Sequence, residues 1–126
     1  MKTIINTKNA PAPIGPYSQA ILTDNTLYTS GQIAIHPKSG ELTLGNIETE
    51  TTQVMLNLEA ILKAANMTFK NVIKTSIFIK NMDQFNSINK VYGSYFEESE
   101  APARETVEVA RLPKNVNVEI SLIAKM

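Results

Sequence analysis

The chain has 126 residues, 43% of them hydrophobic and 19% charged, with 12 Lys+Arg against 12 Asp+Glu, one His and no Cys. That length and apolar content suit one domain spanning residues 1–126, burying about two-thirds of the surface its unfolded chain exposes, and they exclude a disordered chain. Zero formal charge removes the cationic excess behind non-specific nucleic-acid binding, and the missing Cys excludes disulfides, thiolate nucleophiles and thiolate metal ligands. No apolar run reaches the roughly 18 residues of a membrane span, and the start of the chain has no signal-peptide pattern. The expectation is a cytoplasmic protein with neither nucleic acid nor membrane as partner. Near-zero charge also sets no strong barrier to self-association.

In chain order, the first punctuation is Ala10-Pro11-Ala12-Pro13-Ile14-Gly15-Pro16, where three prolines and a glycine rule out helix and central strand and leave a shaped loop. Thr26 to Ile35 is rich in β-branched and aromatic residues and ends in the turn-forming His36-Pro37-Lys38-Ser39-Gly40, which predicts a strand entering a hairpin. Between Asn46 and Ala65 the apolar Val54, Leu58, Ile61, Leu62 and Ala65 recur at helical spacing. Asn46 is a candidate N-cap and Asn66 a left-handed stop.

Ile73, Thr75, Ile77 and Ile79 alternate with Lys74, Ser76 and Lys80, while Phe78 breaks the polar face; a strand with one buried face is expected. Phe85, Ile88, Tyr92, Tyr95 and Phe96 follow at helical spacing behind Asp83, a candidate cap, with Gly93 inside the stretch. Thr106 to Ala110 and Val116 to Ala124, joined by Leu112-Pro113-Lys114-Asn115, read as a closing antiparallel hairpin. The order implies an α+β fold with one sheet and two helices packed on it. Two helices cover one face only, so apolar residues on the other, such as Phe78, predict an oligomer.

Five segments carry a family resemblance: Ile14-Gly15-Pro16-Tyr17-Ser18-Gln19-Ala20, Tyr28-Thr29-Ser30-Gly31-Gln32-Ile33, Asn89-Lys90-Val91-Tyr92, the long run from Pro102 through Arg104 to Pro113, and Val118-Glu119-Ile120. Along essentially its whole length the chain resembles the reactive intermediate deaminase (RidA, or YjgF) family. The resemblance implies a chorismate-mutase-like fold, a homotrimer with clefts between subunits, and hydrolysis of 2-iminobutanoate and 2-iminopropanoate to 2-oxo acids and ammonia. These imines leave pyridoxal-phosphate enzymes such as threonine dehydratase, a link to isoleucine biosynthesis. No metal or organic cofactor is implied. By matching segments, the carboxylate-binding arginine falls on Arg104 and the water-orienting glutamate on Glu119. Tyr17, Ser30, Gly31 and Asn89 then line the cleft, and the backbone N–H of Thr106 is a further donor. Many family members carry Cys where this chain has Thr106, and a small residue where it has Glu105, which bears on how the cleft accepts an anion.

The chemistry suits those residue types. Arginine's planar fork holds a carboxylate through two parallel hydrogen bonds, while a glutamate can take a proton from the attacking water and return it to the departing nitrogen. A protonated imine is already electrophilic, so no covalent nucleophile is required. Read locally, each residue also has a plainer role. Arg104 can be a solvated charge, Glu119 a wetted strand position beside Asn117 and Ser121, Tyr17 loop packing, Ser30 a backbone partner, and Asn89 a solvated helix face. His36 stands alone in a turn, a poor metal-ligand set. Two other readings compete with deamination: a non-catalytic regulatory or metabolite-sensing trimer, which would need Arg104 but not Glu119, and a chorismate-mutase-type enzyme, suggested by fold only.

Overall fold

The computed structural model describes residues 1–126. Six strands and two helices alternate along the chain: β1 (Thr3–Ile5), β2 (Ala20–Thr23), β3 (Thr26–Thr29), α1 (Ile47–Ala64), β4 (Val72–Ile79), α2 (Phe85–Gly93), β5 (Ala103–Glu108) and β6 (Val118–Lys125). They form one mixed sheet in the order β1-β2-β3-β6-β4-β5. All pairings are antiparallel except β4 with β5, which run parallel. The expected α+β architecture, with both helices on one sheet face, is what forms. No helix is long and apolar enough to cross a membrane.

Helix α1 starts where Asn46 accepts a hydrogen bond from Thr49 N at 2.8 Å and stops at Asn66, whose φ is 59°. Its apolar stripe, Val54, Leu58, Ile61 and Leu62, is fully buried against Ile77 and Ile79 of β4 and Val118, Ile120 and Leu122 of β6. Burying a side chain of this kind stabilises by about 1.5–3 kcal/mol, so this stripe is a main anchor of α1 on the sheet. Three of the buried polar side chains tie the chain together. Glu50, fully buried, accepts from Asn117 N at 2.8 Å and Asn117 Nδ2 at 2.7 Å. Asn57 donates to the carbonyls of Ile33 and Ile35. Gln19 donates to those of Thr7, Ala10 and Pro11 and pins the proline-rich loop.

Four expectations need correction. The final strands do not pair as a hairpin. β4 lies between β5 and β6, because β5 docks parallel to β4 and the Pro113–Asn115 turn carries the chain past it. The Thr26–Ile35 strand is interrupted: β3 ends at Thr29, and Gln32 rejoins β6 at Ile120, one residue out of the register set by Tyr28 and Ile123. In β4 a bulge between Val72 and Lys74 reverses the alternation at its start, so Val72 is buried and Ile73 is 50% exposed. Asp83 is not a cap. Asn81 accepts from Asp83 N at 2.9 Å and opens a short 3-10 turn leading into α2, which ends at Gly93 and leaves Tyr95 and Phe96 beyond it. Strands β1 and β2 were not expected. The tight β2–β3 connection rests on Asp24 and Asn25, both in the left-handed region at φ 49° and 63°, as a two-residue hairpin turn demands.

The second sheet face carries Ile21, Tyr28, Phe78, Ile123 and Val107, which no helix covers. Tyr28 is 47% and Val107 41% exposed.

Candidate active site

Strand parity puts Glu119 on the uncovered face, beside Phe78 in the β6–β4 ladder. Where β3 breaks off, Ser30 and Gly31 leave room for its carboxylate. A Cβ on Gly31 would come within 2.8 Å of the Glu119 carboxyl carbon, so this close approach needs glycine. Ser30 is fastened by its hydroxyl to Ser18 O at 2.5 Å and by its backbone N–H to Gln19 O at 2.9 Å. Together with Tyr17, Ile14, Ile33 and Lys114, these residues surround a cavity of about 540 Å³. Tyr17 is 51% exposed and its hydroxyl accepts a long hydrogen bond from Ile14 N, 3.4 Å. Burial raises the Glu119 carboxyl above its ordinary pKa. A carboxylate that is half-buried in a mostly apolar cavity, with its pKa raised by burial, suits proton transfer to and from water.

Arg104 sits elsewhere. It pairs with Thr75 on the edge strand β5 and projects on the helix side. Its Nη1 donates to Asn89 Oδ1 at 2.6 Å, and its guanidinium carbon lies 5.1 Å from the Tyr92 ring centre and 5.6 Å from that of Phe85. Asn89 thus holds the arginine. A second cavity of about 410 Å³ is bordered by Asn89, Tyr92, Phe96, Pro102 and Arg104. It shares no residue with the Glu119 cavity. The chain therefore brings Tyr17, Ser30, Gly31 and Glu119 together and Arg104 with Asn89 together, but keeps the two groups on opposite faces of the sheet.

Thr106 follows Arg104 on the same side of β5, and its hydroxyl oxygen is buried with no hydrogen-bond partner. Glu105 points the other way. Lys74 Nζ lies 2.7 Å from its carboxylate and Ser76 donates to it; the Lys74 hydrogen bond first, then that from Ser76, lowers its pKa. Its negative charge is therefore answered by Lys74 and faces away from Arg104. His36 closes its turn by accepting from Lys38 N, 3.2 Å, and no group of His, Asp and Glu is arranged to hold a metal. Sequence reasoning missed Gln19 and Tyr92 as supports of the site. Both lie inside segments that carry the resemblance but have no role there, and Tyr92 reads otherwise as an apolar helix position.

A family model described as Endoribonuclease L-PSP matches residues 7–126. The chain belongs to this L-PSP, or YjgF/RidA, family. A RutC family protein of Pyrococcus horikoshii is 52% identical over 98% of both chains. The human protein named 2-iminobutanoate/2-iminopropanoate deaminase is 44% identical over 98% of this chain and 90% of its own. Among solved structures, the Escherichia coli YjgF gene product superposes with a TM-score of 0.91 at 42% identity, covering 98% of each chain. The L-PSP/RidA family thus includes deaminases of small imino acids.

Proposed function

We propose that this protein hydrolyses 2-imino acids such as 2-iminobutanoate and 2-iminopropanoate to 2-oxo acids and ammonia, as a homotrimer whose sites form between subunits. The observation that carries the reading is Glu119, a carboxylate with raised pKa set over Gly31 in a mostly apolar cavity. The name of the human relative supports the substrate class.

In this reaction the substrate carboxylate pairs with Arg104, whose remaining N–H groups are free of any ion pair. Water attacks the iminium carbon while Glu119 takes one of its protons, and the C=N π electrons move to nitrogen. The carbinolamine then receives the proton from Glu119 on nitrogen, the C–N bond breaks, and the oxygen lone pair closes the carbonyl. Loss of the hydroxyl proton to the departing ammonia leaves the 2-oxo acid and ammonium. One shuttle residue and correct placement suffice, contributions of roughly 10²–10⁴-fold for proton transfer.

Arg104 and Glu119 belong to different cavities of one subunit, so a single site containing both requires a second copy. The uncovered apolar face gives that copy a surface to bind. The test couples the protein to a pyridoxal-phosphate threonine dehydratase and follows 2-oxobutanoate. Release faster than in buffer alone, lost on Arg104→Ala and reduced at least tenfold on Glu119→Gln, is expected. A rate equal to buffer would end the deaminase reading and leave a metabolite-binding protein.

A further inference from the structure

We propose that Tyr92 is the positioning residue that aims Arg104 at its anionic ligand, acting through a hydroxyl pair with Thr75 buried in the core. The ligand itself rests on the function proposed above; the socket does not. Arg104 extends from an edge strand and is solvent-exposed. A free arginine there keeps its rotamer freedom, which an incoming carboxylate would have to remove. No acidic residue steadies it. Its supports are all neutral: the Asn89 amide oxygen at 2.6 Å and the rings of Tyr92 and Phe85 at 5.1 and 5.6 Å. Neutral supports orient the fork and leave its full charge to a ligand, whereas a carboxylate would compete for the same donors.

The position of the Tyr92 ring is fixed from below. Its hydroxyl meets Thr75 Oγ1 at 2.7 Å, and the two residues are only 5% and 1% exposed. Thr75 is also the residue paired with Arg104 in the β4–β5 ladder. The three residues therefore close a ring: backbone pairing from Arg104 to Thr75, a hydrogen bond from Thr75 to Tyr92, and a cation–π contact from Tyr92 back to Arg104. A second ring, Phe96, packs on Tyr92 at 4.9 Å and resists its sliding along the helix. Burial raises the Tyr92 pKa in spite of the Thr75 bond and the Arg104 charge, so the phenol stays protonated and can serve as donor to Thr75.

The experiment compares Tyr92→Phe, Thr75→Val and the double variant. Each single change leaves a buried hydroxyl unpaired and destabilises the protein, whereas removing both partners restores much of the stability. If the pair positions Arg104, the double variant keeps a defect that stability does not explain. Its Kd for 2-oxobutanoate and its KM rise by roughly tenfold while kcat changes far less. The Arg104 side-chain N–H signal in nitrogen-15 NMR also moves toward that of a mobile arginine. A double variant that is stable, binds 2-oxobutanoate as wild type does and keeps the Arg104 signal unchanged overturns the proposal. Failure of the wild type to hydrolyse imines, with the Arg104 signal still altered in the double variant, would remove the deaminase reading and leave the socket standing.

Discussion

Glu119 and Thr106 illustrate opposite uses of a buried polar group. Burial raises the Glu119 pKa, so the folded protein binds that proton more tightly than the unfolded chain does. The stability linked to this group is present at low pH and lost as pH rises through the raised pKa. Glu119→Gln should accordingly melt higher than wild type at about pH 8, the difference should shrink on acidification to about pH 4, and hydrolysis should fall throughout. Thermal unfolding at both pH values checks it, and a variant that melts lower at pH 8 would contradict the burial argument. The wild-type rate should likewise decline on acidification at a higher pH than an ordinary carboxyl would set. Thr106 has a buried hydroxyl with no partner, so Thr106→Val, of the same shape, should stabilise by about 1 kcal/mol. Thr106→Cys should leave deamination within tenfold of wild type, since the donor proposed there is the backbone N–H; a larger change in the coupled assay would make the side chain a participant.

At the scale of elements, what could be read from the sequence was what local chemistry decides. Asn46 and Asn66 bracket α1 because a cap and a left-handed stop act within a turn, and the Thr75–Ile79 alternation survives because one face of β4 meets the helices. The neighbours of β5 were not legible: Pro113-Lys114-Asn115 signals a turn, yet a turn residue does not say which strand the returning chain will join. The candidate site was legible in parts. The motif singles out Arg104 and Glu119 as candidates, and parity along β5 and β6 separates their faces only when the ladder that joins both strands to β4 is known. Glu50 shows the same limit. Its position in the first turn of α1 suggests a solvated charge, but it is fully buried and holds the chain at Asn117, just before Glu119. Glu50→Ala should destabilise by about 2–3 kcal/mol, more than a surface glutamate would, because two buried hydrogen bonds are lost and Asn117 is left with unpaired donors. Denaturant titration measures this, and a loss below about 0.5 kcal/mol would mean that the clamp is dispensable.

For the whole molecule the decisive feature is separation: Arg104 with Asn89 borders one cavity, Glu119 with Gly31 another, and an apolar sheet face lies uncovered. A cyclic assembly places unlike patches of neighbouring subunits together at each interface. In the proposed trimer the Arg104 of one copy meets the Glu119 of the next, so that each site would take one of these residues from each of two chains. Mixing Arg104→Ala with Glu119→Gln, each nearly inactive alone, tests this directly. After unfolding and refolding together in equal amounts, about one site in four should combine an intact Arg104 from one variant with an intact Glu119 from the other, and roughly a quarter of the wild-type rate should return. Refolding each variant separately before mixing should restore nothing unless subunits exchange, which controls for additive residual activity. A site contained within one chain would give no recovery in either case, and light scattering of the mixture should report a mass about three times the 13.9 kDa chain. Recovery without that mass would keep the shared site and replace the trimer with another assembly. A trimer without recovery would place the whole reaction on one subunit and require Arg104 or Glu119 to be given up as a partner in it.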